Sequence, residues 1–188
     1  MQLSSFVTAS LLASISIISP VSTTPLVPRD GASVVEAVNV ISDHLTTLNK
    51  TVSSYTGGLL GTLTALKIET ESNDLSSAIK SAIKTTTKSD PFNETESANV
   101  AIVFLTLEPQ ILSALDTIVS KKDAFEHGLL GLFSLSFLVK DNLEEQKKSS
   151  AELGDAVTEK LTPDYAALAP LINQEIADAF ESAIEAFS

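Results

Sequence analysis

The stretch from Asn99 to Phe125, NVAIVFLTLEPQILSALDTIVSKKDAF, decides the fold class of this chain. Apolar residues recur in it at steps of three and four, which places their side chains along one side of an α-helix. These positions are Val100, Phe104, Leu107, Ile111, Leu115 and Ile118. Pro109 lies near the middle and cannot donate a backbone hydrogen bond, so we predict a kink there. A bent apolar helix at the centre of a bundle can leave a hollow beside it.

The residues before this stretch predict two helices. Helix 1 should run from Ser33 to about Tyr55, because Ser33 and Glu36 have the spacing of a capping box. The pair Gly57-Gly58 can end it, since glycine adopts a left-handed cap without steric cost. Helix 2 should cover residues 59–88. Its apolar positions change register near Thr70, which predicts either a stripe that shifts around the helix or a break at residues 72–74.

The residues after it predict two more helices. Helix 4 should run from about residue 132 to 161. Thr162 and Pro163 have the types favoured at a helix N-cap and first turn, and Pro170 should separate the first turn of helix 5. No segment alternates for long at period two, so no sheet is expected. The fold class that we predict is all-α, a single antiparallel bundle of about five helices with an apolar interior.

The amino-acid composition limits the classes of function that the protein can have. A chain of 188 residues with 44% hydrophobic but only 5% aromatic residues should form one domain with an aliphatic core. The formal net charge of −12 argues against nucleic acid as a partner, because nucleic-acid binding needs basic surface. Without cysteine there is no disulfide or thiolate metal site. We expect no cofactor and no metal.

The N-terminal residues predict secretion. Residues 1–24 resemble a secretory signal peptide that is too short to span a membrane, residues 25–32 should be an extended lead-in, and residues 33–188 should form the bundle. The sequons at Asn49 and Asn93 fit a secreted glycoprotein, and Asn93 is the better candidate because it lies in a predicted loop. The C-terminus has no apolar tail for a lipid anchor. We therefore expect an extracellular or cell-wall protein.

Catalysis is poorly supported. The two histidines are His44 and His127, and no G-x-S-x-G motif accompanies them. Asp43 precedes His44, but adjacent residues of a helix point in different directions, and a triad needs closely defined geometry. We expect that the protein is not an enzyme.

Three motifs resemble a fungal secreted family. They are Tyr55-x-Gly57-Gly58 at the end of helix 1, Lys121-Lys122-Asp123-Ala124-Phe125 at the end of helix 3, the helix of the opening stretch, and Leu143-x-x-Gln146-Lys147 in helix 4. Their order and spacing over residues 27–187 are similar to those of the hydrophobic surface-binding protein A family, which includes cell-wall galactomannoproteins. The resemblance implies a helical bundle that binds apolar material, either fatty acid in a cavity or a hydrophobic surface. It also implies cell-wall polysaccharide as a further partner.

The predicted site is an apolar pocket for fatty acid or a similar lipid. An acyl chain needs apolar walls, and its carboxylate needs a few polar groups. The walls that we predict are Leu63, Leu66, Ile79, Ile83, Phe104, Leu107, Ile111, Phe133 and Leu135. The polar groups that we predict are Thr106, Gln146 and Ser150. The alternatives are a surfactant-like protein that adsorbs to hydrophobic surfaces and recruits hydrolases, with its helices parting at the surface, or a structural cell-wall mannoprotein.

Overall fold

The computed structural model describes residues 30–128 and 134–188, so the predicted signal peptide and most of the predicted lead-in lie outside the described residues. The described residues contain no β-strand. The helices are α1 (Gly31–Ser53), α2 (Gly58–Thr87), α3 (Glu94–Ser120), α4 (Lys122–Glu126), α5 (Ser136–Thr158), α6 (Pro163–Ala166) and α7 (Ala169–Ala186). Five of these are long, and the all-α prediction is confirmed.

The five long helices close into a ring. α1 contacts α2 and α3, α5 contacts α2 and α7, and α3 contacts α7, so each long helix has two neighbours. Helices that follow one another in the chain alternate in direction. α1 and α3 are therefore parallel neighbours, as two hydrogen bonds show: Gly31 N donates to Glu96 Oε1 at 3.4 Å, and Ser42 Oγ donates to Gln110 Oε1 at 2.7 Å.

A ring of five helices leaves more central space than a ring of four. Five cylinders about 10 Å apart in a regular ring enclose a gap of about 3.5 Å radius, whereas four enclose a gap of about 2 Å radius. Side chains must fill the larger gap or leave a cavity, because protein interiors otherwise pack to the density of organic crystals.

Aromatic side chains close one end of the ring. The ring of Tyr55 lies 4.8 Å from that of Phe125, and Phe125 lies 6.0 Å from Phe187 between ring centroids. Gly57 is required here, because its φ of 69° suits glycine and an added Cβ would lie 2.6 Å from the carbonyl oxygen of Ala124. These contacts make this end a solid plug.

Hydrogen bonds join separate segments of the chain at the opposite end of the ring. Thr162 N donates to Ser97 Oγ at 3.0 Å, which joins the start of α3 to the chain after α5. Phe92 N donates to the Lys160 carbonyl oxygen at 2.8 Å, so the turn before α3 is also fixed there. The space inside the ring therefore lies between the aromatic contacts at one end and these hydrogen-bonded turns at the other.

The start of α1 differs from the sequence prediction. The predicted capping box of Ser33 and Glu36 is wrong: α1 begins at Gly31, and Ser33 N donates to Oδ1 of the N-cap Asp30 at 3.0 Å. Asp30 is itself a strong capping residue three positions earlier, and it accepts the bond first. A capping box does form at α3, between Asn93 and Glu96.

The prolines and the apolar register of α2 agree only partly with the sequence prediction. Pro170 separates the short α6 from α7, which confirms that prediction. α2 continues from Gly58 to Thr87, so a break at residues 72–74 is wrong and the register shift occurs within one helix. α3 runs through Pro109 without ending, and α5 starts at Ser136 rather than near residue 132.

α3 is apolar enough to resemble a membrane span. Among the described residues it is the single helix with the length and composition to cross a membrane, with a mean hydropathy of 1.5 over its most apolar window. Only 17% of that window is buried in the bundle. α3 nevertheless contacts α1 and α7 along its length and supplies much of the lining of the central space.

Candidate functional site

A cavity occupies the centre of the ring, and all five long helices line it. α3 contributes the largest share of the lining, and α5 contributes two of the four polar groups. The apolar lining consists of Ile41, Leu45 and Leu48 from α1, Leu75 and Ile79 from α2, Phe104, Leu107, Ile111, Ala114, Leu115 and Ile118 from α3, Leu153 and Gly154 from α5, and Ile176 and Phe180 from α7. We call this space the central cavity.

The central cavity is narrow. The centre of a water molecule can move through about 50 Å³ of it, whereas all unfilled space between the lining residues, part of it open to solvent, is about 720 Å³. The smaller value measures the room for a ligand, because the larger one includes crevices too thin for any atom. This room would hold about three or four water molecules. A whole acyl chain needs the helices to move apart.

Four polar side chains interrupt the lining: Glu108 from α3, Gln146 and Ser150 from α5, and Asn173 from α7. The amide of Gln146 is already engaged, because Nε2 donates to Ser72 Oγ at 3.0 Å. Ser150 and Asn173 form no side-chain hydrogen bond with any described residue, so their polar atoms are free to meet a ligand.

Glu108 is the acidic group of the central cavity. Burial raises the pKa of Glu108, and the nearby Glu175 of α7 raises it further by charge repulsion and through a hydrogen bond between the two carboxyl groups. The seam between α3 and α7 is therefore acidic and unfavourable for an anionic ligand group.

A second apolar cavity adjoins the central one. It lies where α6 and the start of α7 cover α3 and the end of α5, and it shares Phe104, Gly154 and Asn173 with the central cavity. An added Cβ on Gly154 would lie 2.5 Å from Oδ1 of Asn173. The absence of a side chain at Gly154 therefore lets Asn173 lie against α5, between the two cavities.

The structure brings together six of the predicted pocket residues. Ile79, Phe104, Leu107 and Ile111 line the central cavity, and so do Gln146 and Ser150. Their role as ligand contacts remains a prediction.

Other predicted residues lie outside the central cavity. Leu63 and Leu66 are 79% and 61% exposed, because the register shift in α2 turns its first half away from the ring centre. Ile83 and Leu135 pack against the core but do not line the cavity. Thr106 is exposed and its hydroxyl donates to the Ile102 carbonyl oxygen at 2.9 Å. As for Phe133, it lies outside the described residues.

The two sequons differ in accessibility. Asn93 is exposed at the N-cap of α3, where its Oδ1 accepts from Glu96 N at 3.0 Å. Asn49 lies within α1, and its Oδ1 is buried without a hydrogen-bond partner. The geometry favours Asn93 as the acceptor, and glycosylation at either position remains a prediction.

Sequence reasoning missed the contributions of α1 and α7. In the sequence, ordinary heptad spacing made Ile41, Leu45 and Leu48 look like core residues, and the same holds for Ile176 and Phe180. In the structure these five side chains line the cavity. Periodicity identifies the buried face of each helix but not whether that face meets a neighbour or a cavity. One signal was present: Glu108 is the first acidic residue of the apolar stretch from Asn99 to Phe125, and it directly precedes Pro109.

Comparisons with known proteins place the chain in a family. The family model described as "Hydrophobic surface binding protein A" matches residues 31–159. The chain belongs to the hydrophobic surface binding protein A family. This confirms the resemblance that the sequence motifs suggested, and the matched residues run from the start of α1 to the end of α5. A curated member of similar sequence is cell wall mannoprotein 1 of Aspergillus flavus, 29% identical over 165 residues. That alignment covers 87% of this chain but 56% of the relative, so the chain spans just over half of the relative's length.

Solved structures share this fold. The crystal structure of Afmp4p in complex with palmitic acid is 27% identical, with a TM-score of 0.78, and the match covers 85% of this chain and all of that one. Ligand binding domain 1 of the Penicillium marneffei MP1 protein, complexed with arachidonic acids, has a TM-score of 0.73 at 21% identity over 81% of this chain and 95% of that one. Domain 2 of MP1, complexed with multiple arachidonic acids, has a TM-score of 0.75 at 22% identity over 86% and 98%.

Proposed function

We propose that this protein binds a long-chain fatty acid in the central cavity and performs no chemistry on it. The observation that carries the proposal is the cavity itself, which all five long helices line with mostly apolar side chains. Its elongated apolar lining and a few unpaired polar groups make it suitable for a chain-like lipid rather than a compact solute.

The length of the cavity suits a fatty acid of about sixteen carbons. Its lining on α3 extends from Phe104 to Ile118, which at the α-helical rise is about 21 Å. Carbon–carbon bonds of about 1.5 Å at about 111° advance about 1.25 Å each, so an extended palmitate chain is about 19 Å long. The match in length and the likeness to the palmitic acid complex of Afmp4p support the same ligand class.

The width must increase when the ligand binds, and α7 is the helix best placed to move. α7 contacts α3, α5 and the short α6, but it makes no extensive contact with α1 or α2. Burying a methylene group contributes about 0.8 kcal/mol, so an acyl chain offers on the order of 10 kcal/mol before association costs. That gain is large enough to offset an outward movement of α7 by a small distance.

Binding of a chain-length series to delipidated protein tests the proposal. We expect a one-to-one complex with palmitate by native mass spectrometry, and an affinity that rises from octanoate to palmitate by up to fourfold per methylene. Palmitate should also raise the melting temperature, because a ligand that binds only the folded state stabilises it. An affinity independent of chain length, or no complex and no thermal shift, would contradict the proposal.

A second candidate function, adsorption to hydrophobic surfaces, rests on a different observation. The first half of α2 exposes a leucine-rich face, and α5 exposes two apolar residues at its start. The residues are Leu59, Leu60, Leu63 and Leu66 of α2 and Phe137 and Leu138 of α5. Contiguous exposed apolar area of this kind is characteristic of interaction surfaces. We call these six residues the leucine face.

The location that we propose is extracellular, either diffusible or held in the cell wall. The signal-peptide-like N-terminus, the exposed sequon at Asn93 and the cell-wall relative support it. Mass spectrometry of the secreted protein would give both the mature N-terminus and any glycan. A mature chain that retains residues 1–24 would contradict secretion by this route.

A further inference from the structure

A cleft with both polar and apolar lining lies between α5 and α7 and adjoins the central cavity. Its lining includes Ser150, Asn173, Ile176 and Phe180, which also line the central cavity. The same cleft contains Lys147 and Asp155 on α5. The cleft is therefore a route by which one end of a ligand in the cavity can reach the surface.

We propose that the carboxylate of the bound lipid leaves the central cavity through the cleft between α5 and α7 and pairs with Lys147. This inference rests on the proposed function and narrows it: the ligand is an unesterified, anionic fatty acid rather than a neutral ester. Lys147 is the cation of the cleft and lies one helical turn from Ser150 on the same face of α5.

A ligand carboxylate can easily replace the present ion-pair partner of Lys147. Lys147 forms an ion pair with Glu181 of α7, in which the lysine side chain is 32% exposed and the glutamate side chain 65% exposed. An exposed carboxylate pairs weakly, because water competes for both groups. A ligand carboxylate held beside Lys147 by its buried chain would compete with Glu181 at a high effective concentration.

The neutral donors of the cleft are unoccupied. Ser150 carries a hydroxyl and Asn173 an amide, and neither forms a side-chain hydrogen bond with the described residues. A carboxylate accepts up to four hydrogen bonds, and those from charged donors are the strongest. Ser150, Asn173 and Lys147 together provide one hydroxyl, one amide and one ammonium group along a single path from the cavity to solvent.

The charges on the two sides of α7 orient the ligand. Glu108 and Glu175 make the seam between α3 and α7 acidic, whereas Lys147 lies on the seam between α5 and α7. A ligand carboxylate is therefore repelled from the first seam, and on the second it is attracted to Lys147. Asp155 lies two turns further along α5 from Lys147, so it opposes the carboxylate less at the Lys147 end of the cleft.

Binding of palmitate and of its uncharged methyl ester to the full chain tests this inference. The substitution Lys147→Met keeps the length of the side chain and removes its charge. Lys148→Met is the matched control, because Lys148 is the adjacent, exposed residue and does not line the cleft. We expect Lys147→Met to weaken palmitate binding about fivefold to tenfold and to leave methyl palmitate unchanged. Lys148→Met should change neither affinity.

A second variant guards against an effect of Lys147 on folding. Glu181→Gln removes the competing carboxylate, so palmitate affinity should rise about twofold while methyl palmitate binding stays constant. Equal losses in the two lysine variants, or palmitate binding that Lys147→Met does not change, would overturn the Lys147 assignment while leaving the proposed function intact. Failure of the unaltered chain to bind either lipid would overturn both.

Discussion

Ala114→Leu should stabilise the protein, because Ala114 is a buried alanine that lines the central cavity. Cavities in protein cores cost about 24 cal/mol per Å³, so filling the 50 Å³ that is free recovers about 1.2 kcal/mol. For a chain of this size each kcal/mol raises the melting temperature by about 2–4 °C, which predicts an increase of about 2–5 °C. Thermal unfolding followed by circular dichroism measures it.

The matched control is Ala82→Leu. Ala82 is completely buried in α2 but does not line the central cavity, so the same three added carbons have no free space there. Overpacking of this kind costs about 1–3 kcal/mol, and we expect the melting temperature to fall. If Ala114→Leu destabilises the protein as much as Ala82→Leu does, the ring has no usable space at its centre.

The same variant separates the cavity from other binding sites. Palmitate at a hundred times its dissociation constant should stabilise the unaltered protein by about 2.7 kcal/mol. In Ala114→Leu the added side chain takes the space of the ligand, so this stabilisation should be largely lost. A variant that is more stable and still binds palmitate normally would show that the lipid binds elsewhere, and would refute the assignment of the central cavity.

Three further predictions follow from single groups. Glu108→Gln should raise the melting temperature at pH 7, because a raised carboxyl pKa means that ionisation of Glu108 costs folded-state stability above the folded pKa. The gain should disappear below the ordinary pKa of 4.5, and a gain that is the same at every pH would contradict this explanation. Tyr55→Phe should leave the free energy of unfolding unchanged or raise it by about 1 kcal/mol, because the buried Tyr55 hydroxyl has no hydrogen-bond partner among the described residues. Chemical denaturation measures this, and a decrease of more than about 1 kcal/mol would show that the hydroxyl forms a hydrogen bond. Replacing Leu60 and Leu63 of the leucine face together by serine should reduce adsorption to a polystyrene surface but not palmitate affinity, and a parallel loss of both would mean that one site serves both activities.

The helices were predictable because each has a local signal. The stripe from Val100 to Ile118 repeats at helical spacing, and Pro170 separates α6 from α7 for the steric reason that the sequence suggests. The start of α1 was less predictable, since Asp30 and Ser33 are both good caps and only the structure shows which accepts the hydrogen bond.

The candidate site was predictable only in part, because it depends on which helices become neighbours. Ile79 and Phe104 could be assigned to a pocket from their buried faces, but the ring closure that brings α7 beside α3 has no local signal. Leu63 shows the opposite failure. Its apolar periodicity resembles that of a core residue, yet the register shift within α2 leaves it exposed.

The number of helices also links binding to stability. Four long helices could fill their centre with ordinary aliphatic side chains. The fifth helix, α7, widens the ring and leaves a central space that its side chains Ile176 and Phe180 only partly fill. Of the five long helices α7 packs least extensively against its two long neighbours, so it is both a wall of the cavity and the long helix that can move most easily. A ligand that fills the centre replaces contacts that the empty ring lacks. Occupancy should therefore order α7 more than any other helix, and hydrogen exchange of its amides should slow on palmitate binding while exchange in α1 stays nearly unchanged.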